Sequence, residues 1–252
     1  MSNIVFWKRI FTSKTYWLSV MAAILLLMCS IVYRDSFTGE KYTFISLFYD
    51  DVARKALEYG EISLRGLILG YDTGYLWMFC PIIVGIPCVI LNKTERLVLF
   101  RTGKNKYLLS KFFSNIIASG CILLIAYLVY VTIGMILAQE NIWNMSLVRK
   151  MVSVFCWGII SAFPSIILSE FVRNKYLILC VPFVINYFMC IFIGNILPYD
   201  VKKYVDPFGY QILFLHNVEM IIPCVGILLF LMVGCVFLKK IALERRCDCG
   251  QQ

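Results

Sequence analysis

The sequence predicts an all-α membrane protein with six transmembrane helices and both termini on the cytosolic side. Three observations lead there. The 252 residues are 61% hydrophobic and only 15% charged, whereas soluble domains carry about a quarter charged residues. The excess falls into six runs free of Asp, Glu, Lys, Arg and His: 15–33, 73–92, 112–139, 151–169, 176–199 and 220–238. Each run has 19 to 28 residues, against the roughly 20 that a helix needs to cross about 30 Å of hydrocarbon. Backbone groups in lipid must be satisfied within their own segment, so each run reads as a helix. Third, the charge is lopsided. With a cytosolic N-terminus, segments 1–14, 93–111, 170–175 and 239–252 hold fifteen basic and four acidic residues, and the opposite side holds nine basic and eleven acidic. That asymmetry is the positive-inside pattern. It assigns the net charge of +9 to topology and argues against nucleic acid as a partner. The whole chain, 1–252, reads as a single transmembrane domain.

Residues 2–14 interleave Ile4, Val5, Phe6, Trp7, Ile10 and Phe11 with Lys8, Arg9 and Lys14. As a helix they would lie in the headgroup plane with the basic side chains toward anionic lipid; the other reading is a plain flank of the first span. That span, 15–33, is too long for a signal-peptide core and lacks a small-residue cleavage site, so an uncleaved helix is expected. Residues 34–72 form the longest outside segment. Val52, Ala56, Tyr59 and Ile62 recur at helical spacing there, while Gly60 and Gly66 disfavour one long helix. Short helical pieces are expected, as a cap over an opening or as a surface loop.

The second span, 73–92, contains Pro81, Gly85 and Pro87. Two prolines remove two helix hydrogen bonds and predict a kink or break. Broken helices line transport pathways, which makes Pro81 and Pro87 pathway candidates. Next comes the densest basic block of the chain: Lys93, Arg96, Arg101, Lys104, Lys106 and Lys111 against Glu95. Thr94 can cap a short cytosolic helix whose first turn holds Glu95. Gly103 is a natural stop, and Lys111 meets the third span. In that span Ser114, Asn115, Ser119, Gly120 and Gly134 suit close helix packing. Glu170–Lys175 is short enough to make spans four and five a tight hairpin, with Pro164 and Pro182 inside them. Asn186 lies in mid-span, as a helix tie or a pathway contact. Residues 200–219 have room for a re-entrant segment in the outer leaflet.

Several chemistries are missing. There is no phosphate-binding G-x-x-x-x-G-K-[ST] loop, no G-x-S-x-G elbow and no H-E-x-x-H. His216 is the single histidine, so no metal site is expected. Nine of eleven cysteines lie in apolar runs and the other two are Cys247 and Cys249, which leaves no extracellular disulfide framework. The predicted spans carry no ionisable side chain, and such groups mark proton and ion pathways. Any uphill movement would then draw its energy from another chain.

Six spans, an amphipathic start and a charged helix between spans two and three resemble the membrane subunit of an ABC transporter of the ABC-2 permease class. The residues carrying the resemblance are Glu95, Arg96, Arg101, Tyr107 and Lys111, with Gly103 closing the helix. The resemblance implies a non-enzymatic permease subunit that binds no cofactor itself. ATP and magnesium would sit on a separate cytosolic ABC ATPase docked at residues 92–111, and a second permease subunit, identical or not, would face this one across the path. It also implies a multi-pass protein of the cell membrane, in a bacterial plasma membrane, exporting a hydrophobic or amphipathic compound such as an antimicrobial peptide. The other reading of these basic residues is that they simply hold the loop inside. A non-transporting membrane scaffold or sensor is the alternative from a different class.

Overall fold

The computed structural model describes residues 2–29, 31–34, 41–43, 45–52, 55, 59, 74–92, 104–138, 143–172, 174–196, 230, 233, 234 and 237. The order is α1 (Ser2–Phe11), α2 (Lys14–Met28), β1 (Ile31–Arg34), β2 (Lys41–Thr43), α3 (Ser46–Tyr49), α4 (Gly74–Asn92), α5 (Lys104–Ala138), α6 (Met145–Phe171) and α7 (Lys175–Ile196). The described residues are helical apart from one small pair of strands. Among the described residues two helices are long and apolar enough to cross a membrane, Leu109–Ile136 within α5 and Leu147–Phe171 within α6. The pair α1 and α2, bent by 56°, makes a third if it counts as one broken span. Phe79–Asn92 and Lys175–Phe188 are shorter apolar helices. Four positions of the expected sixth span are described, and the rest of it, like residues 200–219 and 93–103, lies outside the described residues.

The expectation that the first span runs as helix over 15–33 needs correction at its end. The helix ends at Met28, where the Cys29 N–H still reaches Leu25 O. Ile31–Arg34 then pairs antiparallel with Lys41–Thr43. The β-branched and aromatic residues Ile31, Val32 and Tyr33 favour a strand, and a short apolar run does not distinguish strand from helix. Ile45 N–H donates to Met28 O at 3.2 Å, so the returning chain is tied to the end of α2. Ser46 Oγ accepts from Thr43 N–H and donates to Thr43 O, which closes the corner into α3.

The prolines did not break α4, which continues through both Pro81 and Pro87. The third helix starts at Lys104, eight residues before the predicted span, and runs for 35 residues. That is about 52 Å at 1.5 Å per residue, well beyond one hydrocarbon thickness. The fourth begins at Met145, capped by Asn144, whose Oδ1 accepts from Leu147 N–H at 2.9 Å. Between α6 and α7 only three residues intervene, as the hairpin reading expected, and Asn174 Oδ1 accepts from Tyr176 N–H at the turn.

Helix α5 is the centre, touching α1, α2, α4 and α6. Three consecutive residues reach three neighbours, because successive side chains leave a helix about 100° apart. Ala118 O accepts from Tyr16 of α2 at 3.2 Å. Ser119 Oγ donates to Val84 O of α4 at 2.7 Å. Gly120 lies under the Phe155 ring of α6, where an added Cβ would come within 2.6 Å. Helix α6 answers with Gly158, whose Cβ position is 3.0 Å from Ser119 O. Away from this core, Leu18, Met21 and Leu25 on α2 and Leu177, Val184 and Phe188 on α7 are exposed apolar side chains at helical spacing, a pattern suited to lipid.

Gly158→Val should lower unfolding stability in detergent by about 1–3 kcal/mol through overpacking against α5 backbone. Leu18→Ala on the outer face should change it by less than about 0.5 kcal/mol. Equal losses from the two substitutions would contradict a tight α5–α6 crossing.

Candidate functional site: the polar end of the bundle

The start of α5 is where the sequence-predicted residues converge on something the sequence did not announce. Basic residues of the 104–111 block extend the helix instead of preceding it, and lysine is a good helix former. Helical spacing then turns Tyr107 and Lys111, four residues apart, to one face. Both are fully buried. Tyr107 meets Phe6 of α1 edge to face, with ring centroids 5.7 Å apart, a favoured aromatic geometry. Lys111 Nζ donates to Glu170 Oε1 of α6 at 3.0 Å, with the lysine side chain 0% and the glutamate side chain 8% exposed. Ser169 Oγ also approaches Glu170 Oε1, at 3.4 Å.

The absence of ionisable side chains thus holds for the predicted spans and not for the helices. Lys111, Lys150 and Glu170 all sit in α5 or α6 and are buried. Glu170 was expected in a cytosolic turn, but α6 continues through it to Phe171. Taking both charges out of water costs several kcal/mol each, and only close geometry offsets this. The pair therefore matters more as a coupling than as a gain in stability. It joins the first turns of α5 to the last turn of α6, hence to the α6–α7 hairpin.

Helix α1 seals the same end. Phe6 and Ile10 are buried while Lys8 is exposed. Trp7 and Phe11 stack at 5.5 Å, and Phe11 meets Tyr16 edge to face. Trp17 Nε1 donates to Phe11 O across the bend. The end of the bundle is therefore locked by one charge pair and an aromatic chain from Trp7 to Trp17.

Of the residues proposed for docking a partner, Tyr107 and Lys111 face inward and make these contacts within the chain. Glu95, Arg96, Arg101 and Gly103 lie outside the described residues. The pathway candidates separate: Pro81 and Pro87 are buried in α4, and Asn186 is half-buried on α7. The signal that sequence reading missed is a four-residue polar repeat. It reads Lys111, Asn115, Ser119 on α5 and Ser161, Ser165, Ser169 on α6, with Ser153 two steps earlier and Trp157 between. Among the described residues no three His, Cys, Asp or Glu side chains gather as a metal site requires.

Lys111→Met should cost about 3–5 kcal/mol of unfolding stability by leaving Glu170 buried without its cation. Adding Glu170→Leu should recover most of the loss; simple additivity in thermal unfolding would show that the two are not coupled. Comparison with protein-family models, curated proteins and solved structures finds no match for this chain.

Proposed function

We propose that this chain is the membrane-spanning permease subunit of an ATP-driven transporter of the ABC-2 type, itself without enzymatic activity. In this reading it works with ATPase subunits on separate chains and a second permease subunit in the cell membrane. The cargo is hydrophobic or amphipathic, such as an antimicrobial peptide.

One observation carries the reading. Helix α5 starts at Lys104, directly after the charged 93–103 stretch, and continues unbroken to Ala138 as the centre of the bundle. A push applied at a cytosolic docking segment enters such a rod at its end. A helix transmits it because axial compression strains every i→i−4 bond in series. Lys111–Glu170 and Phe6–Tyr107 then make α6, α7 and α1 move with α5. On this account docking falls to Glu95, Arg96 and Arg101, with Gly103 as the joint. Tyr107 and Lys111 pass the movement inward.

The charge of Lys111 is matched by Glu170, and a matched pair at one end of a bundle is a weaker proton-relay candidate than isolated acids in mid-membrane. Work supplied by a partner remains the simpler source.

The test is copurification. Wild-type chain extracted in mild detergent should bring down an ABC ATPase, and Glu95→Arg or Arg101→Glu should reduce its recovery by at least about tenfold, a loss of about 1.4 kcal/mol or more. Full retention in both variants would sink the docking assignment. Absence of any ATPase from the wild-type complex would favour the scaffold or sensor reading.

A further inference from the structure

The polar repeat on α5 and α6 runs along a junction that α4 completes. Ser119 of α5 is bonded to Val84 O. Ser165 Oγ of α6 lies 2.8 Å from the point a Cβ on Gly85 would occupy, so it looks straight onto α4 backbone. Cys80 of α4 faces Ser161 and Trp157 of α6. Helix α4 runs antiparallel to α5, so one turn toward the Lys111–Glu170 end brings Cys88 level with Asn115.

On α5 and α6 three side chains stand out. Asn115 and Ser165 are fully buried and Ser153 nearly so. None of the three finds a hydrogen-bond partner among the described residues, including either the nitrogen or the oxygen of Asn115. An unsatisfied buried polar group costs about 1–3 kcal/mol, and native proteins satisfy such groups almost without exception. Pro87 adds to the demand. It has no N–H, so the Ile83 carbonyl one helical turn earlier loses its usual donor. Gly85 lets the Ser165 hydroxyl come right against α4 backbone, since even a Cβ there would lie only 2.8 Å from Ser165 Oγ.

We propose that the α4–α5–α6 junction is an internal hydration site, in which two or more ordered waters bridge Asn115, Ser165 and α4 backbone carbonyls. Water is the ligand that this chemistry selects. The groups are neutral and offer both donors and acceptors, as a bridging water requires. The ammonium of Lys111, one turn from Asn115, disfavours a metal cation. The matched Glu170 leaves no free positive charge for an anion. The wet seam lets α4 shift against the α5–α6 pair by exchanging hydrogen bonds with water instead of breaking them outright. This inference stands independently of the transport reading, since it concerns only how three helices satisfy their polar groups.

X-ray hydroxyl-radical footprinting of the intact protein in nanodiscs tests it, because radicals made from bound water modify neighbouring side chains that bulk solvent does not reach. Cys80 and Cys88 are both fully buried, and they should be oxidised in the wild-type chain alongside exposed Trp143. Asn115→Leu should reduce Cys88 oxidation by at least about fivefold, as expected if the water loses its polar partners. Ser165→Ala, a smaller change less prone to disturb folding, should reduce it about twofold on the same ground. Oxidation of Trp143 with neither Cys80 nor Cys88 modified in the wild type would overturn the proposal. So would unchanged Cys88 oxidation in a folded Asn115→Leu or Ser165→Ala protein.

Discussion

Everything in this bundle depends on how closely other helices can approach α5 over a single turn. Ala118, Ser119 and Gly120 meet α2, α4 and α6 in succession. Lipid tails are as apolar as leucine, so burying apolar surface supplies little drive for helices to associate in a membrane. Close backbone approach and interhelical hydrogen bonds must do it instead. Small side chains provide the first. The hydroxyls of Tyr16 and Ser119, aimed at backbone carbonyls, provide the second. A bulky residue at any of the three positions would push away a different neighbour.

The charge pair works on another scale. Small-residue contacts fix distance but leave helices free to slide along their common seam. Lys111 and Glu170 fix the axial register, since a shift of one turn would leave both charges buried and apart. The rings of Phe6, Phe11, Tyr16 and Trp17 do the same for the bent α1–α2 pair. The bundle thus has a gripped middle and an indexed end, and the indexed end adjoins the most basic part of the chain.

The sequence made some of this plain. Span 73–92 and helix Gly74–Asn92 agree closely because Asp72 and Lys93 bracket the apolar run, and a charge marks the edge of hydrocarbon. The same logic failed wherever helix and hydrocarbon have different ends. Lys104, Lys106 and Lys111 were read as a lead-in, yet they are helical, because charge controls solvation and not backbone hydrogen bonding. Ile31–Tyr33 is apolar but extended, since its pairing partner lies about ten residues later, a pairing that periodicity does not reveal. Lys111 was assigned to an outside partner because its real one, Glu170, is 59 residues distant. The four-residue spacing of polar side chains on α5 and α6 was the available clue, obscured because each serine alone is unremarkable in a membrane helix.

That 59-residue separation bears on how the chain is made. Synthesis is vectorial, so α5 leaves the ribosome and meets the bilayer well before Glu170 exists. During that interval Lys111 has no carboxylate, and its long stem must carry the ammonium toward the headgroups. Helix α5 cannot yet settle at its final depth. Only when the end of α6 arrives can the lysine turn inward, with Glu170 burying at the same moment. The ion pair therefore also orders assembly: the α5–α6 contact can close only after the end of α6 has been delivered.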